Sequence, residues 1–234
     1  FFLTLVLFIE NTFIIEQKSL LSILSSMQPI CTKRTTLDAT TGILFQVGHK
    51  ELVLKSTDLE ISLQASCPTV KSDCMQSRQF LVSGRRIFDL IKELEGDITF
   101  TLTEKQILFN ANGVNLSLHI KSAEEFPPFP ERIENLMHID SSFFLSLINK
   151  VAFLIPQNNA NPSLNGLLLE VNAREFTLTT TDGHCLAQVK TDKCTLSESK
   201  QWLLPRRAIF EVKKILESTV QSPIFIGICG NQLV

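Results

Sequence analysis

Six residues, Gly42-Ile43-Leu44-Phe45-Gln46-Val47, return 124 positions later as Gly166-Leu167-Leu168-Leu169-Glu170-Val171. Without a gap, Leu52-x-Leu54 falls on Phe176-x-Leu178, and Thr57-Asp58 falls on Thr181-Asp182. The same shift lays Glu16-x-x-x-Leu20-Leu21-Ser22-Ile23-Leu24 over Asp140-x-x-x-Phe144-Leu145-Ser146-Leu147-Ile148. At a shift of 122, Ile87-Phe88-Asp89-Leu90 meets Ile209-Phe210-Glu211-Val212, and Leu94 meets Leu216. Chance gives one such match. Several in order, at a nearly constant shift, indicate a duplicated domain.

Each copy carries the same order of elements. In the first, residues 12–16 read as a strand, and 18–27 place Leu20, Leu21, Ile23, Leu24 and Met27 at helical spacing. Three short alternating strands follow at 43–47, 51–56 and 60–66. A second helix is expected over 83–94, with Ser83 at its N-cap and Gly96 just past its end. Strands return at 98–103, 106–110 and 114–121. Antiparallel strands interrupted by lone helices indicate an α+β fold, with two helices per domain packed on antiparallel sheets, not a doubly wound parallel sheet. The expected organisation is a first domain at 11–123, a linker at 124–134 and a second domain at 135–234. Prolines 127, 128 and 130 stiffen that linker. Val234 falls on about Leu108 of the first copy, so the final strands of the second are missing and the C-terminus reads as a truncation.

A net charge of −2 over 234 residues excludes a broadly basic protein, so any nucleic-acid contact must be local. Composition is that of a folded soluble chain, 44% hydrophobic and 20% charged. The six cysteines form no C-x-x-C pair and have no zinc-ligand spacing, which reads as reduced thiols in a cytosolic protein without a structural metal. Residues 1–9 are apolar but for Thr4, and far shorter than the roughly 20 residues that span a bilayer. They are compatible with a strand, a misassigned start or a signal remnant.

The most enzyme-like stretch is Thr179-Thr180-Thr181-Asp182-Gly183-His184. An Asp and a His two apart invite a hydrolytic or metal-binding reading. No Ser-centred elbow, H-E-x-x-H, P-loop or G-x-G-x-x-G accompanies them. The repeat argues further against catalysis. Asp58 stands where Asp182 does, but Leu59 and Glu60 replace Gly183 and His184. The shared Thr-Asp therefore reads as a turn closed by a carboxylate, and Gly183-His184 as a feature of the second copy alone. His49, His119 and His138 carry no motif, and the 17 phenylalanines fall mostly at core positions.

Arg85-Arg86 and Arg206-Arg207 open equivalent helices, where cations oppose the macrodipole. They form either a solvated first turn or a pair of basic spots facing a polyanion. Lys33-Arg34, after the first helix, adds a third spot.

Taken together, these motifs resemble the β subunit of bacterial DNA polymerase III, the sliding clamp. The residues that carry the resemblance are Leu164-Asn165-Gly166-Leu167-Leu168-Leu169-Glu170, Thr181-Asp182-Gly183-His184-x-Leu186-Ala187 and Leu204-Pro205-Arg206-Arg207. Ser56-Thr57-Asp58-Leu59-Glu60 and Glu124-Glu125-Phe126-Pro127 add to it in the first copy. The resemblance runs from about Thr12 to Val234. It implies three DNA-clamp domains per chain, the third absent here, and a head-to-tail homodimer that encircles duplex DNA without reading sequence. Helices would line the hole, with Arg34, Arg85, Arg206 and Arg207 facing DNA.

The resemblance further implies a non-catalytic, cofactor-free processivity factor in the cytoplasm, associated with the nucleoid and not with a membrane. An apolar pocket would hold a short peptide from the α and δ subunits of the polymerase and from other clamp-binding proteins. Its second-domain wall would be Leu164, Thr181, Gly183, His184 and Leu186, and the rest of the pocket would come from the absent third domain. Cys185 departs from the family's usual Arg. The 157–163 loop lacks the usual aromatics, and Thr35 and Asp38-Ala39-Thr40 replace a proline-bearing turn. The rival classes are an enzyme using Asp182 and His184, and a two-domain interaction scaffold that closes no ring.

Overall fold

The computed structural model describes residues 11–33, 35–74, 77–130, 133–218, 223–230 and 232–234. Residues 1–9 and Arg34 lie outside that set. The chain divides between Phe129 and Pro130 into two compact units.

Unit 1 runs β1 (Asn11–Glu16), α1 (Gln17–Cys31), a 3-10 turn (Asp38–Thr41), β2 (Gly42–Val47), β3 (Glu51–Thr57) and β4 (Ser62–Pro68). It continues with β5 (Lys71–Ser72), β6 (Arg78–Ser83), α2 (Gly84–Ile91), β7 (Asp97–Leu102), β8 (Gln106–Ala111) and β9 (Val114–Lys121). The strands join in the order β4-β3-β2-β6-β9-β8-β7-β1-β5, with antiparallel pairing throughout the described ladders. That order contains the motif strand-helix-three strands twice, β1-α1-β2-β3-β4 and β6-α2-β7-β8-β9.

The core explains the apolar spacing. Leu20, Leu24 and Met27 of α1 and Ile87 and Ile91 of α2 are fully buried against inward residues of the sheet. Paired strand positions carry aromatic contacts. Phe13 faces Phe100 with ring centroids 5.0 Å apart, and Phe45 faces Phe80 at 5.5 Å. Truncating one such buried leucine to Ala costs on the order of 2–5 kcal/mol, because the cavity cannot fully collapse.

Four expectations need correction. A strand, β6, precedes the second helix, and Ser83 is its last residue, making no side-chain cap bond to α2. The run Phe80-Leu81-Val82 is buried throughout, because Phe80 and Val82 enter the main core while Leu81 packs with Ala39, Leu44 and Phe126 on the other face. A strand covered on both faces shows no alternation. Helix α1 also runs past Met27 through Pro29 to Cys31, since Ile30 and Cys31 are buried and Thr32 closes the end through its N–H and hydroxyl on the Gln28 carbonyl. The strand expected at 60–66 starts at Ser62, because Leu59 and Glu60 belong to the turn. The segment read as a linker begins packed on unit 1, with Phe126 buried and stacked on Phe129.

Unit 2 repeats the series: β10 (Glu134–Asp140), α3 (Ser141–Val151), 3-10 turns at Ala152–Leu154 and Pro162–Leu164, then β11 (Gly166–Val171), β12 (Phe176–Thr181) and β13 (Leu186–Thr191). After these come β14 (Lys200–Pro205), α4 (Arg206–Ser218), β15 (Pro223–Cys229) and β16 (Gln232–Leu233). Its described strands form the sheets β13-β12-β11-β14 and β10-β15-β16. Asp140 accepts the Phe143 N–H at 2.8 Å and caps α3. Phe144, Leu147, Ile148, Leu167, Leu169, Phe176 and Leu178 form the center of its core.

Candidate functional site

The Thr-Asp stretches of both units build the same turn. In unit 2, Asp182 Oδ1 accepts the N–H groups of His184 at 2.8 Å and Cys185 at 2.7 Å, and the Thr181 hydroxyl accepts the Gly183 N–H at 3.1 Å. In unit 1, Asp58 Oδ1 accepts from Glu60 at 3.0 Å and Ile61 at 2.8 Å, and Thr57 accepts from Leu59 at 3.1 Å. The third residue has positive φ in both: +94° at Gly183 and +75° at Leu59. Glycine adopts that conformation without steric cost, whereas leucine does not. Bonds from the Cys185 and then the His184 amide hold the Asp182 carboxyl below the usual carboxylate range. That oxygen is committed to shaping the turn, which argues against a base acting with His184.

Beside the turn of unit 2 lies a concavity of about 250 Å³, lined by Ser163, Leu164, Gly166, Leu168, Thr181 and Leu203 among others. Two sequence-derived residues, Leu164 and Thr181, are in that lining. A Cβ placed on Gly183 would lie 3.6 Å from Leu164 Cδ1, so this glycine abuts the same wall. His184 and Leu186 are exposed on the hairpin and are not in the lining. Sequence reasoning missed Leu168 and Leu203, which pair across β11 and β14 on the outer face of the sheet. Their spacing on alternate strand positions signals that face, but no motif marks them.

A larger concavity, about 390 Å³, lies on the open face of β7-β8-β9, with Thr99, Leu108, Asn110 and Leu116 in its wall. It contains no ionisable side chain and touches no residue read as functional, so size alone does not make it the site.

The basic residues differ among themselves. Arg85 is exposed at the start of α2, with Asp89 3.9 Å away, a surface pair of small energetic weight. Arg206 opens α4 half-buried. Its guanidinium donates to the Ile155 carbonyl and lies 4.4 Å over the Phe210 ring. Arg207 follows it, also half-buried. Lys33 contributes less to a basic spot than its sequence suggests, since it binds Glu60 at 2.5 Å and lies 3.6 Å from buried Asp58. Arg34 lies outside the described residues.

Among the described residues, no three His, Cys, Asp or Glu side chains gather as metal ligands, and no helix is long and apolar enough to cross a membrane.

A family model described as the DNA polymerase III beta subunit, N-terminal domain, matches residues 11–130, and the model of its central domain matches 138–234. The beta sliding clamp of Pseudomonas aeruginosa is 30% identical over 208 residues, covering 87% of this chain and 56% of that protein. That of Chlamydia muridarum is 26% identical over 233 residues, covering 95% and 63%. The crystal structure of the Pseudomonas aeruginosa sliding clamp bound to griselimycin aligns with a TM-score of 0.82 at 26% identity, covering 94% of this chain and 60% of that one. The chain therefore spans less than two thirds of the length of these relatives.

Proposed function

Since this chain belongs to the DNA polymerase III beta subunit family, we propose that it forms the first two domains of a processivity factor, a sliding clamp that encircles duplex DNA. The observation that carries this reading is the duplication itself. Two successive units place a pair of helices against an antiparallel sheet, and the second helix of each has arginine in its first turn. Arg85, Arg206 and Arg207, with Arg34 by position, would then meet phosphates. Such contacts hold register-free and carry no sequence information, so the ring slides. Residence comes from topology rather than affinity, which suits a chain of net charge −2 with only local basic spots. The protein would act as a homodimer in the cytoplasm at the nucleoid, without a catalytic site of its own.

The concavity at Leu164 and Thr181, with Gly183, His184 and Leu186 on the adjoining turn, would hold an apolar peptide from the polymerase α subunit, the δ subunit or other clamp-binding proteins. Griselimycin, to which the Pseudomonas relative is bound, would serve as the probe, and loss of its binding on substitution at Leu164 or Gly183 would place it at that site. The decisive test of the clamp reading is retention. Protein loaded on circular DNA should remain through a salt wash, and protein on linear DNA should run off the ends. Equal retention on both would favour a two-domain scaffold instead.

A further inference from the structure

The 155–165 segment leaves the core at Ile155 and returns at Asn165, and one residue holds both feet. The Arg206 guanidinium donates to the Ile155 carbonyl, while the Arg206 backbone N–H donates to the Asn165 carbonyl at 3.0 Å. Inside the loop, Asn165 and Asn159 bind reciprocally, Nδ2 of Asn165 to the Asn159 carbonyl at 2.8 Å and the Asn159 N–H to Asn165 Oδ1 at 2.7 Å. Asn161 Oδ1 accepts the Ser163 N–H at 3.1 Å, and its carbonyl accepts the Leu164 N–H at 3.1 Å. Leu164, part of the wall of the concavity, therefore stands immediately before Asn165, the foot of the loop that the first residue of α4 holds.

We propose that Arg206 is the positioning residue of the concavity: its guanidinium clips the loop shut and so sets where Leu164 stands. The proposal rests on reading that concavity as the ligand site. Arginine suits this task for two reasons. Its planar head donates along its edge to Ile155 while its face lies on Phe210, so one rotamer is held from two directions. A carbonyl is also a neutral partner, so Arg206 keeps its positive charge at the helix start while its geometry is occupied. The alternative, an arginine engaged only with phosphate, leaves the Ile155 contact and the stacking without purpose. Lysine could supply a donor but not the flat face.

The test uses this chain in wild-type form and as Arg206→Ala, Arg206→Lys and Phe210→Leu, with Lys214→Ala as a control on the same helix. Arg206→Ala keeps the backbone bond to Asn165, so the unit should fold, which the thermal transition checks. Amide hydrogen exchange at Asn159, Leu164 and Asn165 should quicken by about tenfold, a change the loss of one charge-assisted bond produces, with β12 amides unchanged. Griselimycin affinity, read by calorimetry, should fall by about the same factor. Arg206→Lys and Phe210→Leu should lie between, and the control should match wild type.

Unchanged loop exchange in Arg206→Ala overturns the proposal, and so does quickened exchange with undiminished griselimycin affinity. If the wild-type chain does not bind griselimycin, the reading of this wall as a ligand site by itself, without the third domain, falls. Loop exchange in the variants then still decides whether Arg206 positions Leu164.

Discussion

Gly42 and Gly166 are the same glycine in the two copies, yet alanine should be tolerated at one and not at the other. A Cβ on Gly42 would approach the Val82 carbonyl oxygen to 3.2 Å and that of Ala39 to 3.3 Å, so the neighbours need give only a few tenths of an ångström. A Cβ on Gly166 would lie 2.5 Å from the Leu204 carbonyl oxygen and 3.1 Å from Leu203 Cδ1. The first of these is strand backbone, so β14 must move away from β11 by most of an ångström. That displacement breaks the ladder where Gly166 faces Pro205 and strains the adjacent 3.0 Å bond from Arg206 N–H to Asn165. Two lost hydrogen bonds cost about 2 kcal/mol and overpacking costs a further ~1–3. Removing glycine's chain entropy returns about 0.5–1 kcal/mol. Gly166→Ala should therefore destabilise unit 2 by about 3 kcal/mol, which for a domain of this size lowers its melting temperature by roughly 10–20 °C. Gly42→Ala should stay within about 1 kcal/mol of wild type, the entropy gain offsetting the mild contact. Scanning calorimetry measures the loss, and hydrogen exchange should localise it to the β11–β14 pairing. Equal costs at the two glycines would refute the backbone-contact argument.

A second contrast between the copies concerns buried hydroxyls. Ser56 Oγ is buried without a partner, whereas Thr180, its equivalent, donates to the Val151 carbonyl at 2.7 Å. Ser56→Ala should be neutral or stabilising by up to about 1 kcal/mol and Thr180→Val destabilising by about 1–2, read by urea unfolding. Acid should act through Asp140 and Asp182, whose carboxyls are held low by Ser142 and Phe143 in the first case and by Cys185 and His184 in the second. A depressed folded pKa gives stability that is present above the ordinary carboxylate range, near about 4, and is lost as pH falls through the folded value. The Asp140→Ala, Asp182→Ala double variant should thus lose less stability than wild type as pH falls below the ordinary carboxylate range. Burial pushes the Cys31 thiol up to about 12 and Cys67 to about 11, while Cys185 is exposed. Iodoacetamide at neutral pH should label Cys185 and spare those two until the chain unfolds, and peptide mapping would reveal the opposite order.

Much of the fold was legible because its signals are local and repeated. Leu20, Leu24 and Met27 lie at helical spacing and are buried as that spacing demands. The turn at Asp182 was legible because Asp58 repeats it without Gly-His. What could not be read depends on both faces of an element, or on distant backbone. β6 escaped because Leu81 has its own apolar neighbours on the outer face, so no polar residue breaks the run. The helical spacing reads only as far as Met27, yet burial of Ile30 and Cys31 carries α1 through Pro29 to Cys31. Arg206 reads as part of a solvated first turn or as a basic spot facing a polyanion, since nothing in the sequence indicates that its guanidinium meets the Ile155 carbonyl.

The two copies show how one scaffold can be closed in one place and open in another. In unit 1, Lys33 lies across the turn, bound to Glu60 and close to Asp58, and Thr40, the equivalent of Leu164, is buried with its hydroxyl on the Leu37 carbonyl at 2.8 Å. In unit 2 the position matching Lys33 is Gln157, inside the loop that Arg206 clips, and the position matching Glu60 is exposed His184. The cation that spans the first turn has no counterpart at the second, and Leu164 stands beside Gly183 where the first copy has buried Thr40. The amide bonds to the Asp carboxylate and to the Thr hydroxyl recur in both turns. The hydroxyl's own partner differs, Ser62 in unit 1 and the Cys185 carbonyl in unit 2, and so does what covers the turn, which is where a binding surface can arise without disturbing the fold. If this is correct, grafting Lys33 and Glu60 onto unit 2 as Gln157→Lys with His184→Glu should weaken griselimycin binding without lowering the melting temperature. A loss of binding that merely tracks a loss of stability would sink the idea.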